Sequence, residues 1–389
     1  MRNATESISF SRSAPLFPSR LRVLGVATQG TGGDDEARLR SLLENFHSEF
    51  FPFDRAKKRS SGISLFQKIR RDRPDLVVLE GTGLAGGIAV IFGRLLAKIP
   101  YILSSGDAVG PFVQAQVPTA GPFFKFYEKI LIRLSAGFIG WTPYLAGRAL
   151  TLGAPRAMTA AGWAPSVLTE GELRSYRQSI RRELNIPEET IVVGIVGSLA
   201  WNKRVGYCYG YELVRAIQRV SRADVRALIV GDGSGRGELE RLAGPALGKT
   251  VLMTGRVQRD RVPVYLACMD FASLPQSVDQ VGAFRYSTKL TEYMAAGLPV
   301  VTGQLPFSYD LPGDWMWRLP GDMPWSDSYI AALAQLLDDL TLEELRSRRE
   351  AVPKTLPVFE REFQIKRVTE FLSEAREAWW ERRGVSINP

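Results

Sequence analysis

The chain has a single histidine, His47, and two cysteines, Cys208 and Cys268, among 389 residues. With one histidine, neither a histidine-built zinc centre nor a serine–histidine–aspartate relay is expected. Two isolated thiols provide neither a disulfide framework nor metal-ligand spacing. No apolar run reaches the ~18 residues that a membrane-crossing helix needs. Arg94 and Lys98 interrupt the longest candidate, 84–102. The N-terminus lacks the unbroken apolar core of a secretion signal, so Asn3 is not expected to carry a glycan and a reducing cytoplasm is the expected compartment.

What is present is apolar material and unevenly placed positive charge. Hydrophobic residues make up 45% of the chain, and a chain of this length is expected to form two cores rather than one. Residues 1–165 hold 21 Lys+Arg against 12 Asp+Glu, a net +9, while the remainder balances at 29 of each. An anionic partner is therefore expected for the N-terminal half.

Residues 1–19 are rich in Ser, Pro and Arg and are expected to be disordered. A strand over 21–26, the loop Gln29-Gly30-Thr31-Gly32-Gly33 and a helix over 34–46 then open a nucleotide-type α/β domain. An extended stretch over 49–54 leads into a dense basic tract, Arg55, Lys57, Lys58 and Arg59, which continues into a helix bearing Lys68, Arg70, Arg71 and Arg73. The strand over 75–80 ends at Gly81-Thr82-Gly83, and the one over 101–103 ends at Ser104-Ser105-Gly106-Asp107. Ligands of open parallel sheets bind off the carboxyl ends of the strands, which directs Asp107 toward a cleft. Short strands over 137–140 and 157–161 close this first domain, 20–163.

In the segment 121–133, Lys125, Lys129 and Arg133 recur at i, i+4 and i+8 among large apolar side chains. This pattern suits a helix lying on an anionic membrane surface. It equally suits a helix packed on a sheet with snorkelling lysines.

The second domain, 164–361, repeats the strand–loop–helix pattern. Ile191-Val192-Val193-Gly194-Ile195-Val196-Gly197 reads as a buried parallel strand, followed by a loop over 198–204 and a helix over 207–219. Further strands are expected over 226–230, 251–255 and 271–274, and an aromatic loop holds Trp315, Trp317 and Trp325. The C-terminal helix, 362–389, carries Trp379-Trp380 and Arg382-Arg383 and is expected to pack back onto the first domain.

The densest chemistry lies in YSTKLTEYMAAGLPVV, 286–301. Ser287 and Thr288 lead into a helix start whose free backbone N–H groups can hold a phosphate. Lys289 adds a full charge in the first turn, and Glu292 can accept two hydrogen bonds from a sugar diol. The same residues also describe an ordinary N-cap followed by an i,i+3 ion pair.

In order, GIVGSLAWNK, LIVGDGSGRGELERLA, VLMTGRVQRDRVPVYLACMD and YSTKLTEYMAAGLPVV closely resemble the retaining GT-B glycosyltransferases of sequence family 4. That group includes phosphatidylinositol mannosyltransferases and bacterial cell-surface polysaccharide transferases. The N-terminal half resembles them in layout and in DLVVLEGTG and IPYILSS. The resemblance implies an α/β fold of two Rossmann-like domains facing a central cleft. It gives Lys203 the diphosphate and Glu292 the ribose hydroxyls, and assigns the framing of the base to Arg256 and Val257. Ser198 stands where the family usually has an arginine, with Arg204 and Arg285 as substitutes. Phe284 stands where the first glutamate of the E-x7-E motif belongs, with Asp279 as a substitute. Gly32 and Gly33 would lend amides to the leaving group, and Ser105 to Asp107 replace a common histidine.

The activity implied is retaining transfer of a sugar from a UDP- or GDP-linked donor, without metal or cofactor, to a hydroxyl acceptor. Asp107 is the candidate for orienting or deprotonating that acceptor. A lipid-linked or cell-surface glycan precursor at the inner membrane face would suit the positive charge of the first half. Two alternatives carry less. A sugar-nucleotide epimerase would have to manage with one histidine. A nucleic-acid binder would leave the KLTEYMAAG region unexplained, so no nucleic-acid partner is expected.

Overall fold

The computed structural model describes residues 21–164 and 168–382; the expected disordered stretch 1–19 and Arg383 lie outside the described residues. The first sheet comprises β1 (Arg22–Ala27), β2 (His47–Phe51), β3 (Leu76–Glu80), β4 (Tyr101–Ser105), β5 (Gly137–Gly140) and β6 (Ala157–Thr159), in the order 2-1-3-4-5-6. The second comprises β7 (Ile191–Val196), β8 (Val225–Val230), β9 (Val251–Gly255), β10 (Phe271–Leu274), β11 (Val300–Gly303) and β12 (Met316–Leu319), in the order 12-11-10-7-8-9. Every pairing in both sheets is parallel. Among the described residues no helix is long and apolar enough to cross a membrane.

Parallel strands covered by helices on both faces must be apolar on both, which is why LVVLE and IVVGIV run without alternation and are buried throughout. Each sheet accordingly has a core on either side. On one face of the first sheet, Ile365, Val368, Leu372 and Ala375 of the helix Arg361–Glu381 share a core with Leu39, Leu42, Val78 and Ile102. The last helix thus returns across the chain to cover the first sheet. Burying each such side chain contributes about 1.5–3 kcal/mol.

Two segments depart from the sequence pattern. The helix expected over 207–219 is confined to Tyr211–Ile217. Asn202 and Tyr207 pair across a turn, and Gly206 and Gly210 take positive φ, so the chain coils before the helix can start. The expected aromatic loop contains an edge strand, β12, with Trp315 fully buried beside it and Trp317 within it. Short aromatic strands at a sheet edge have little room to show a pattern.

Glu212 is a buried carboxylate in the second domain, accepting hydrogen bonds from Ser273 Oγ at 3.0 Å and Tyr207 Oη at 3.1 Å. Burial raises its pKa from 4.5 to about 7. Between those values the folded chain holds a proton that the unfolded chain has released, so this group's contribution to stability is lost as pH rises through about 7. Glu212→Gln is expected to raise stability at pH 8 by roughly 1–3 kcal/mol and to leave it nearly unchanged at pH 5. Denaturant midpoints at the two pH values check this; an equal shift at both would mean the carboxyl does not titrate.

Candidate active site

The carboxyl ends of β7, β8 and β9 and the start of the helix Thr288–Ala295 converge on a cavity of about 1200 Å3 between the two sheets. The second domain contributes Ser198 after β7, Asp232 and Gly233 after β8, Arg256 to Arg259 after β9, and Thr288, Lys289 and Glu292. The first domain closes it with Asp34, Arg38, Trp141 and Trp163.

Close backbone approach builds this wall. Gly197 has φ +154° and Gly231 has φ +145°, and a Cβ at Gly231 would sit 1.9 Å from the Gly197 carbonyl oxygen. A Cβ at Gly197 would sit 2.6 Å from Lys289 Cε. Glycine here lets the Lys289 side chain lie across the end of β7, with Nζ 4.5 Å from the centroid of the Tyr209 ring. Ser287 caps the helix, its Oγ accepting from the Lys289 N–H. The Leu290 amide donates to the Ser287 carbonyl, so the Thr288 amide and the positive end of the helix share the cavity wall with a lysine. One turn on, burial pushes the Glu292 carboxyl above its usual range, with Lys289 and Arg259 opposing the shift.

The opposite wall is cross-linked by side-chain contacts. Arg38 and Glu80 form a buried ion pair at 2.7 Å. The Arg38 guanidinium lies 4.5 Å over the Trp141 ring, and Trp141 Nε1 donates to Glu80 at 3.0 Å. Trp141 and Thr288 also line a smaller cavity of about 240 Å3, with Asp35, Glu80, Asp107, Ser105, Tyr209 and Arg285. Burial and the neighbouring Glu80 push Asp35 up to about 6.

The domains meet through several contacts beside these cavities. Arg285 Nε donates to Asp107 at 2.6 Å, and Thr142 Oγ1 donates to the Phe284 carbonyl at 2.7 Å. Tyr144 bonds Asp310, Arg259 pairs with Asp34, and Arg204 donates to the Ala115 carbonyl.

The residues singled out in the sequence distribute as follows. Ser198, Arg256, Val257, Thr288, Lys289 and Glu292 line the large cavity, and Asp107, Ser287 and Thr288 line the small one. Lys203 is exposed on the turn after β7 and lines neither. Gly32 and Gly33 lie just outside, and the Gly32 amide donates to the Glu36 carboxylate, leaving it unavailable to a ligand. Asp279 accepts from the Val281 and Gly282 amides at 2.8 Å each and so serves its own loop. Arg55, Lys57, Lys58 and Arg59 are exposed, as are Lys125, Lys129 and Arg133.

Sequence reasoning missed Asp35, Arg38, Glu80 and Trp141. A charge ending the apolar run LVVLE, and another set between apolar positions of DDEARLRSL, were the available signals.

Residues 190–339 match the family described as Glycosyl transferases group 1. No curated protein matches the chain in sequence. Among solved structures, the Anabaena protein HepE in complex with UDP-glucose is 16% identical with a TM-score of 0.66, the match covering 91% of this chain and 100% of that one. Sucrose-phosphate synthase from Thermosynechococcus elongatus is 15% identical with a TM-score of 0.67, covering 92% and 100%. The α,α-trehalose 6-phosphate synthase from Burkholderia multivorans is 13% identical with a TM-score of 0.61, covering 92% and 99%. At these identities the likeness is one of fold. The two facing parallel six-stranded sheets are the GT-B arrangement that the sequence led us to expect.

Gly197→Ala tests the close approach directly. It is expected to displace Lys289 and to cost roughly 1–3 kcal/mol of stability. Thermal unfolding reads the effect; an unchanged midpoint would show that residue 197 accepts a side chain without strain.

Proposed function

We propose that the chain is a retaining glycosyltransferase of sequence family 4 type, taking a sugar from a nucleotide-diphosphate donor to a hydroxyl acceptor. The carrying observation is the wall on which a helix start, Lys289 and the buried Glu292 face one cavity. The family match over 190–339 and the UDP-glucose bound by HepE support a nucleotide-sugar donor, with UDP the first base to test and GDP the second.

In this reading the diphosphate lies along the Lys289 side chain and the Thr288 amide, and the ribose hydroxyls donate to Glu292. Breaking the anomeric C–O bond builds negative charge on the β-phosphate. A lysine and a helix dipole held in a low-dielectric wall stabilise that charge more in the transition state than in the ground state. The acceptor oxygen bonds the anomeric carbon on the face the diphosphate leaves, and its proton passes to a phosphate oxygen. No metal or cofactor enters the scheme.

The acceptor hydroxyl enters through the smaller cavity, where Asp107 and Asp35 can accept from it. Carboxylates there favour a neutral polyhydroxyl end, so any anionic or lipid portion of the acceptor extends outside. The helix Gly121–Arg133 buries Tyr127, Leu131 and Ile132 and turns Lys125 and Lys129 outward beside Phe123 and Phe126, exposed by 56% and 64%. Exposed rings among lysines suit the anionic inner face of a membrane carrying a lipid-linked glycan precursor.

A thermal-shift panel of UDP- and GDP-sugars tests the donor, since a ligand of the folded state raises stability by mass action. Glu292→Ala is expected to abolish the shift without lowering the unliganded midpoint. Lys289→Ala is expected to lower kcat about 10²–10³-fold with a smaller change in donor affinity, and Lys203→Ala to change either by only a few-fold. A Lys203→Ala defect as deep as that of Lys289→Ala would return the diphosphate to the turn after β7.

For the surface helix, Lys125→Ser with Lys129→Ser and, separately, Phe123→Ser with Phe126→Ser are each expected to release the protein from phosphatidylglycerol vesicles. Undiminished flotation of both variants would remove the membrane from the reading.

A further inference from the structure

A concavity of about 320 Å3 opens between the helices Tyr211–Ile217 and Arg236–Ala243 of the second domain. Among the described residues it shares no lining residue with either cavity between the two sheets. Two aromatic rings border it, Trp201 from the turn after β7 and Tyr211 from the start of the first helix. Arg215, Gln218, Glu238 and Arg241 bring polar ends to the same space. A spacing of i, i+4 joins Tyr211 to Arg215 and one of i, i+3 joins Glu238 to Arg241, so each helix turns a pair of side chains toward it.

Both rings are half-buried against the core of the second domain. The Trp201 backbone N–H donates to Ser234 Oγ at 3.0 Å, and Tyr211 meets Tyr207 edge-on with centroids 6.0 Å apart. Each ring is therefore held where it borders the concavity. Gln218 Nε2 donates to the Leu242 carbonyl at 2.6 Å, which fixes the amide and leaves its oxygen to accept. Glu238 and Arg241 pair with each other, so their charges cancel. Arg215 is held differently. Among the described residues its buried Nε has no hydrogen-bond partner, and Asp327, which feels its charge, bonds Arg219 at 2.6 Å. A guanidinium kept at a concavity without such a bond is the feature that most asks for a ligand.

We infer that this concavity binds a pyranose ring of an oligosaccharide. Aromatic side chains cover the C–H face of such a ring, while a guanidinium donates to neighbouring hydroxyls, and an amide oxygen and a carboxylate accept from them. A purely apolar ligand would strand Arg215 and Gln218 away from water, and a bare phosphate would leave the two rings unused. The volume falls within the ~300–1,000 Å3 of small-molecule sites. Ser198, on the same turn as Trp201, lines the large cavity, so a sugar chain held here stays beside the cleft by a unit that the reaction does not touch. The inference rests on this lining and not on the donor chemistry proposed for the cleft.

Calorimetric titration of the full chain with maltotriose, cellotriose and trigalacturonate tests the site in the wild type, Arg215→Gln and Trp201→Ala. At least one of the three is expected to bind the wild type and to lose about tenfold or more of its affinity in each variant. Binding of the neutral trisaccharides assigns hydroxyls to Arg215, and binding of trigalacturonate alone assigns it a sugar carboxylate. Arg215→Gln decides the matter if Trp201→Ala lowers the thermal midpoint by disturbing its turn. Glu292→Ala, which strikes the cleft, is expected to leave saccharide binding unchanged. Because the readout is dependence on Arg215, it stands whether or not the cleft takes a sugar nucleotide. A loss in Glu292→Ala without one in Arg215→Gln would put the saccharide in the cleft and overturn the site. So would equal binding by the wild type and both Arg215→Gln and Trp201→Ala, or no binding of any of the three by the wild type.

Discussion

Lys289 lies across the end of β7 in space that a side chain at residue 197 would contest, its Cε 2.6 Å from where a Cβ would stand. Much else depends on that contact. It brings a full positive charge to the point where the helix start presents the Thr288 amide, and one turn further along the same helix burial makes the Glu292 carboxylate reluctant to ionise. Gly231 permits the same closeness between the β7 and β8 loops. Three loops and a helix start thus line one cavity wall with their charges and dipoles already in place. Such preorganisation is what gives electrostatic stabilisation its strength.

The positive charge of the N-terminal half is not spent in the cleft. The first domain turns Asp35, Glu80 and Asp107 toward the smaller cavity, and their mutual repulsion contributes to holding Asp35 at about 6. Its one cleft-lining arginine, Arg38, is paired with Glu80. Exposed lysines and arginines lie instead on the tract of Arg55, Lys57, Lys58 and Arg59 and on the outer face of the helix Gly121–Arg133. Charge counted along a sequence says that an anion is wanted, but where it is wanted depends on which face each helix turns outward.

The sheets were legible because buried parallel strands have no polar face to hide: LVVLE and IVVGIV announce themselves, and glycines mark where they stop. The wall of the large cavity was legible for a related reason. Ser198, Arg256, Val257, Thr288, Lys289 and Glu292 all follow strand ends or start a helix, positions that the α/β pattern itself directs to one edge. Lys203 follows a strand end too, yet Gly206 and Gly210 coil the chain beyond it and leave it exposed, an effect of backbone angles that residue spacing does not show. Arg38 and Trp141 face that wall, and Asp35 faces Thr288 across the smaller cavity, only once two separate sheets have closed on each other. No pattern local to either half contains that juxtaposition.

Phe284 illustrates how the closure is made. The resemblance placed a carboxylate there, for a sugar. The phenyl ring instead packs against the core of the first domain, and the backbone carbonyl of the same residue accepts from Thr142, which also caps the helix Pro143–Thr151. The adjacent Arg285 crosses to Asp107. A carboxylate at 284 would have to be desolvated against apolar side chains in this position, at a cost of several kcal/mol without a partner. The aromatic ring gains by the same burial, so the segment that leads into the Ser287 cap is tied to the first domain on two successive residues. The helix start that offers its amides to the cavity is therefore positioned by both domains at once, and its aim is coupled to how far they are closed.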